Sequence, residues 1–194
     1  MILPREFYER SDVVQIARDL LGKWLFTKFE GEELTGGMII ETEAYAGPDD
    51  RASHAYNNRR TKRTDILFDR GGHAYIHMCY GIHTLLNAVA NKEGTPNGVL
   101  IRAIKPHDGL KTMLKRRHKT KVDATLTSGP GALCQALGIT MELYGHDLTS
   151  PPLWIEDCGQ RVTDKQILAG PRVGVEYAKE DALLPWRFKL MLDI

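Results

Sequence analysis

An α+β fold, a single domain built on a largely antiparallel sheet, is what the sequence predicts, and three observations predict it. Apolar segments with the two-residue period of strands recur along the chain and are joined by short polar turns. A few segments of helical period are interspersed among them, without the regular strand–helix alternation of a parallel sheet. No repeat, low-complexity stretch or linker divides the 194 residues, a length that suits one domain, 1–194, with a real core.

Taken in order, Ser11-Asp12 reads as a helix cap, and Val13, Ile16, Ala17, Leu20 and Leu21 give residues 12–21 an apolar helical face that stops at Gly22. Lys23–Phe29 and Met38–Ala46 read as strands around a polar turn at 30–37. From Pro48 to Arg63 the chain is polar and turn-rich. His73–Cys79 and Ile82–Ala90 read as a hairpin, with Tyr80-Gly81 where a two-residue turn belongs. Val99–Ile104 is an apolar strand, and a basic helix is expected from about Asp108 to His118. Ser128-Gly129-Pro130 starts a short helix that Gly138 ends. Pro171–Glu176 and Arg187–Leu192 read as late strands, the second with Phe188, Leu190 and Leu192 on one face.

With 42% hydrophobic and 26% charged residues, the chain has the composition of a globular protein and not of a disordered one. No apolar run approaches the roughly 18 residues of a membrane span. The first ten residues carry charges where a secretory signal has its apolar stretch, so a soluble, cytoplasmic protein is expected. Cys79, Cys134 and Cys158 are odd in number and widely spaced, which suits a reducing compartment and three small core residues. The net charge of +1 conceals an uneven distribution. Residues 59–121 hold 14 basic and 4 acidic side chains, whereas the segments on either side are net acidic. Such a local excess can present one face to a polyanion.

In the strand Met38–Ala46, Glu41, Glu43 and Tyr45 share one face, either a solvated surface or a cleft wall. Burial beside an aromatic would suit a carboxylate for general-base work. In the hairpin, His73, Tyr75, His77 and Cys79 share a face. Tyr80 stands at the tip, as a capped turn or as a wedge able to unstack base pairs. His73, His77, Cys79 and His83 have the residue types of metal ligands, but the His-x-x-x-His spacing suits a helix and not a strand, so no metal is expected.

The run Glu41-Thr-Glu-Ala-Tyr-Ala-Gly-Pro-Asp-Asp-Arg-Ala-Ser-His54, followed by Asn58-Arg-Arg-Thr-Lys-Arg63, resembles the alkyladenine (3-methyladenine) DNA glycosylase family. Tyr80-Gly81, Asn87, Val99-Leu-Ile-Arg102-Ala-Ile-Lys-Pro, the block from Ser128 to Gly138 and Pro171-Arg-Val-Gly continue the resemblance in order over most of the chain. It implies a curved sheet with flanking helices and a DNA-inserting β-hairpin. It also implies an enzyme of base-excision repair that flips a damaged purine out of duplex DNA and hydrolyses its N-glycosidic bond. The lesions implied are 3-methyladenine, 7-methylguanine, hypoxanthine and ethenoadenine. Glu43 matches the general base, and Arg102 and the backbone carbonyl of Val173 match the groups that help hold its water. Tyr45 and His54 match the residues sandwiching the base, Tyr80 the intercalating wedge, and Asn87 the residue that crowds the exocyclic amine of guanine. His77 departs from the pattern, standing where a second stacking tyrosine is expected, and a charged imidazole there would repel a cationic purine.

The physical reading agrees with this. Flipping costs roughly a few kcal/mol, which a wedge and renewed stacking in the pocket offset. Arg59, Arg60, Lys62, Arg63, Lys115, Arg116 and Arg117 are candidates for the DNA backbone. Departure of an alkylated purine needs no metal and no cofactor. With no lysine evident beside Glu43, a monofunctional glycosylase is expected, acting as a monomer on double-stranded DNA in a bacterial cytoplasm, at the nucleoid when in use. Two alternatives stand beside it: a non-catalytic DNA-binding module, and a hydrolase of small nucleosides using Glu41 and Glu43.

Overall fold

The structure, a computed structural model, describes residues 1–192. A short helix α1 (Arg5–Tyr8) precedes α2 (Val13–Asp19), which begins where the Asp12 side chain accepts the Gln15 N–H at 2.9 Å. Strands β1 (Trp24–Thr27) and β2 (Thr35–Ala46) follow, then a strand-free loop with three short 3₁₀ turns, then the hairpin β3 (Ala74–Cys79) and β4 (His83–Ala90). Strand β5 (Asn97–Asp108) leads to α3 (Leu110–Arg116) and α4 (Pro130–Leu137). Four short strands complete the chain: β6 (Thr149–Ser150), β7 (Leu153–Glu156), β8 (Ile167–Gly170) and β9 (Arg187–Leu190).

All the strand pairings are antiparallel, in the order β3-β4-β5-β2-β1-β7-β6, and β9 joins β2 to β8. This is the expected α+β domain, with its sheet curled into a half-barrel. Strand β2 is its spine, pairing with β5 along one side and with β1 and then β9 along the other. Residues 35–37, read from the sequence as turn, belong to this strand. A Cβ on Gly37 would lie 2.2 Å from the Lys105 carbonyl oxygen, so glycine here admits a close strand approach.

One face of the sheet is packed and the other carries the site. Ile39, Ile76, Leu86 and Ile101 pack against Ile16 of α2, Leu20 at its C-terminal end, and Leu133 and Leu137 of α4, all essentially buried. Each such side chain stabilises the fold by roughly 1.5–3 kcal/mol relative to exposure. Thr42, on the same face, satisfies its hydroxyl by donating to the Ala17 carbonyl at 2.7 Å. A small satellite cluster of Ala55, Leu67, Phe68, Tyr75 and Val89 supports the long loop.

Two bulges lie opposite each other in the central pair. Ile39 pairs with Ile104 and Glu41 with Ala103, so Ile40 is skipped; Thr42 then pairs with Ile101, so Arg102 is skipped. The offsets cancel, and the local bend turns Arg102 towards the carboxylates of β2.

Several sequence expectations are corrected. Pro171–Glu176 is not a strand: β8 ends at Gly170, Pro171 has no N–H to offer a ladder, and the chain turns through Gly174 at φ +74°. The last strand stops at Leu190, and Leu192 is exposed. The hairpin connection has three residues, since Cys79 pairs with His83 and Ile82 joins Tyr80 and Gly81 outside the ladder. Of the cysteines only Cys134 is in the core; Cys79 is half-buried and Cys158 exposed. Among the described residues no helix is long and apolar enough to cross a membrane.

Candidate active site

The clean alternation of β2 after its bulge places Glu41, Glu43 and Tyr45 on the face opposite Thr42 and Ala44. Tyr45 there forms part of the wall of a cavity of about 330 Å³, whose lining also includes His54, His77, Tyr80, Asn87, Arg102 and Val173. These seven residues come from β2, the long loop, both hairpin strands and the turn between them, β5, and the loop after β8. That volume falls at the small end of ligand pockets, the scale of one heterocycle with room for a substituent.

Glu43 is 0% exposed and lies directly behind the lining. Its Oε1 accepts the Val173 N–H at 2.8 Å and sits 3.3 Å from Arg102 Nη1, and its Oε2 accepts the Tyr45 hydroxyl at 2.8 Å. Two neutral donors and a guanidinium make a receptor for a carboxylate. Burial, and then the neighbouring Glu43, push the Tyr45 hydroxyl well above 10, which keeps it protonated and donating. Arg102 is shared: its Nε donates to Glu41 Oε1 at 3.1 Å, and Glu41 is also met by Arg187 at 3.3 Å and Lys189 at 3.9 Å. The two adjacent carboxylates therefore differ, Glu41 held in a cation network and Glu43 facing the cavity lining. The contact made by Val173 is through its N–H; the sequence reading concerned its carbonyl.

The aromatic wall is neutral. His54 Nε2 lies 3.3 Å from Arg63, which can only donate, so Nδ1 carries the proton and donates to the Tyr75 oxygen at 2.8 Å. Asn87 Nδ2 donates to His77 Nδ1 at 3.4 Å and to the Tyr75 carbonyl at 3.3 Å. Burial, reinforced by Arg63 and Arg59, lowers His54 to about 4. Burial, reinforced by His54 and Arg63, lowers His77 to about 3. At neutral pH His77 is thus an uncharged ring stacked on Tyr75, centroids 5.0 Å apart at 26°, and not the charged imidazole that would repel a cationic purine. His54 meets it edge-on at 4.7 Å.

Tyr80 is 89% exposed at the hairpin tip, and Ile82 beside it 72%. Tyr80 has φ +51° and Gly81 φ +72°, the two left-handed conformations of a primed hairpin turn. A tyrosine in that region costs roughly 1–2 kcal/mol, strain of the kind that collects at functional sites.

The basic candidates separate. Arg59 and Arg63 line a second cavity, of about 390 Å³, which shares Ser53, His54 and Tyr177 with the first. Lys62 lines a separate site beside His77 and Tyr144. Arg60 is paired with Asp65 at 2.6 Å and lies over Phe68. Arg116 pairs with Glu32 and donates to the Ala136 carbonyl, and Arg117 donates to the Leu126 carbonyl, so both tie α3 to its neighbours. Lys115, Arg116 and Arg117 line none of these cavities. Sequence reasoning missed Tyr177, which lines both the first and the second cavity and donates to the Ala52 carbonyl at 3.1 Å, because it lies in a 3₁₀ stretch with no period to mark a face.

Comparison with known proteins accords with this arrangement. The family model described as methylpurine-DNA glycosylase (MPG) matches residues 6–192. The chain is 47% identical over 190 residues to a protein of Chlamydia felis, covering 97% of this chain and 96% of that one. It is 45% identical over 190 residues to a protein of Chlamydia pneumoniae, covering 97% and 95%. It is 44% identical over 196 residues to one of Bacillus mycoides, covering 97% and 95%. All three relatives carry the name "Putative 3-methyladenine DNA glycosylase". With nearly its whole length matched by the family model and by such relatives, the chain belongs to the methylpurine-DNA glycosylase family.

Proposed function

We propose that the protein is a monofunctional DNA glycosylase that extrudes a damaged purine from duplex DNA and hydrolyses its N-glycosidic bond, with Glu43 activating the water. The observation that carries this reading is the Glu43 carboxylate, buried behind an aromatic cavity and held by Tyr45, Val173 and Arg102. Arg102 and Val173 both line the cavity and both reach Glu43 Oε1, so a water admitted between them meets the carboxylate at the sugar side of the extruded nucleotide.

An alkylated purine is cationic, and the C1′–N bond breaks with its electron pair going to the base, which leaves neutral. The sugar passes towards an oxocarbenium ion that the Glu43 carboxylate stabilises. Water oxygen bonds to C1′ and its proton passes to Glu43. No metal or cofactor is required by this balance. The uncharged rings of Tyr45, His54 and His77 present π faces that attract a cation and stack on any purine. The lesion class is 3-methyladenine and 7-methylguanine, which leave as neutral bases by this route, and hypoxanthine and ethenoadenine, which leave neutral once the purine ring has taken a proton from solvent, with Asn87 crowding the exocyclic amine of normal guanine. Tyr80 fills the vacated stack, and Arg59 and Arg63 are the best-placed phosphate ligands. The cation facing the cavity is an arginine, and no lysine lines that cavity to act as an amine nucleophile, which supports base release without strand cleavage. The protein acts as a monomer on double-stranded DNA in the bacterial cytoplasm.

The test is to incubate the protein with duplex DNA methylated at purines and, separately, with 7-methylguanosine. Free methylpurine from the duplex alone is expected. Binding of the duplex without base release would identify a non-catalytic module, and equal release from the nucleoside would identify a nucleoside hydrolase.

A further inference from the structure

One buried ion pair next to the Glu43 contacts has no part in the reaction set out above. The side chains of Arg172 and Asp50 are 0% and 1% exposed. Arg172 Nη2 donates to Asp50 Oδ1 at 2.8 Å while Nη1 donates to the other carboxylate oxygen. The same two nitrogens also donate to the Ala44 carbonyl at 2.9 Å and the Asp181 carbonyl at 3.0 Å. The guanidinium lies over two rings, its Cζ 4.8 Å from the Tyr45 centroid and 5.2 Å from that of Trp186. Asp50 in turn accepts the N–H groups of Ala46 at 3.2 Å and Ala52 at 2.9 Å.

These bonds converge on the segments that build the site. Ala44 stands between Glu43 and Tyr45, and its own N–H donates to the Trp186 carbonyl at 2.9 Å, so the strand is pinned from two sides at that residue. The turn held by Asp50 leads directly into His54. Both neutral donors to Glu43 adjoin Arg172: it backs the ring of Tyr45, and it immediately precedes Val173 in the chain.

A buried ion pair is weak support for stability, because desolvation offsets most of the Coulomb gain and apolar replacements are often as stable. A guanidinium supplies something an apolar side chain does not, a planar fork of donors with fixed directions. Here that fork is spent on one carboxylate and two backbone carbonyls.

We propose that Arg172, clamped by Asp50, is a positioning residue that sets the Tyr45 hydroxyl and the Val173 amide and thereby fixes the Glu43 carboxylate for the hydrolytic step. The inference rests on the assignment of Glu43 as the base, and the test separates the two.

Arg172→Lys keeps the charge and loses the fork. Base release from methylated duplex DNA under single-turnover conditions is expected to fall about 10- to 100-fold, while affinity for a duplex carrying a tetrahydrofuran abasic analogue stays within about twofold. Because the effect passes through Glu43, the same substitution in a Glu43→Gln background is expected to cause no further loss. An unchanged rate in folded Arg172→Lys, or an equal loss in both backgrounds, would overturn the proposal. Should Arg172→Lys fail to fold by circular dichroism, Asp50→Asn, which keeps the volume and one acceptor, carries the same comparison. Full activity of Glu43→Gln would overturn the Glu43 assignment and this proposal together, whereas a Glu43-dependent enzyme indifferent to Arg172→Lys would overturn this proposal alone.

Discussion

The backbone N–H of Val173 donates to Oε1 of Glu43 at 2.8 Å, joining a loop near the C-terminus to a strand 130 positions earlier. A backbone donor cannot rotate away as a side chain can, so the carboxylate is aimed by the path of the loop itself. Tyr45 holds the other oxygen from the same strand, at 2.8 Å. The residue that orders both donors, Arg172, is buried and touches neither Glu43 oxygen.

The exposed Tyr80 is expected to act on extrusion and not on chemistry. Tyr80→Ala should slow base release from a paired lesion by about 10-fold or more, since filling the vacated stack offsets an unstacking cost of a few kcal/mol. Release from the same lesion in a single strand should change little, because there is no duplex stack to replace. Parallel single-turnover assays on the two substrates check this, and equal losses on both would remove the wedge role.

The buried histidines give the stability a defined pH dependence. His77 falls from an ordinary value near 6.5 to about 3, so below pH 6.5 the unfolded chain takes up a proton that the folded chain does not. Stability is therefore full above about pH 6.5 and is lost as the pH falls towards the folded value, by about 1.4 kcal/mol per pH unit for one such group. His77→Phe should flatten the dependence between pH 4.5 and 6.5 by about that slope, measured by urea unfolding at a series of pH values. An unchanged slope would mean that His77 titrates alike in both states.

The cationic side chains should divide by their partners. Arg59→Gln and Arg63→Gln are each expected to reduce the salt dependence of duplex binding, lowering the magnitude of the log–log slope by about 0.9. Arg60→Gln and Arg117→Gln should leave it unchanged, because those guanidiniums are engaged by Asp65 and Phe68, and by the Leu126 carbonyl and Gln135. Fluorescence titration at several salt concentrations distinguishes the two pairs.

The hairpin and the shared face of Glu41, Glu43 and Tyr45 were legible because each is set by local alternation, and the sequence turns where glycine permits positive φ. What was not legible depends on pairing at a distance. Nothing local marks Asp50 and Arg172, 122 positions apart, as partners. The matched bulges at Ile40 and Arg102 also leave no trace in the apolar pattern, since each offset hides the other. The state of His77 depends on burial by residues from other segments, and so the isolated imidazole value misleads. Residues 171–176 have strand-like side chains, yet Pro171 and Gly174 decide the backbone.

The most direct measurement is single-turnover base release from methylated duplex DNA by the wild type and Glu43→Gln side by side. The glutamine keeps the shape of the side chain and loses the base. Release by the wild type, with a loss of about 10²-fold or more in Glu43→Gln and duplex affinity unchanged, is the predicted result. Equal release by the two proteins would contradict the account, because the buried carboxylate around which the cavity is arranged would then have no part in the reaction.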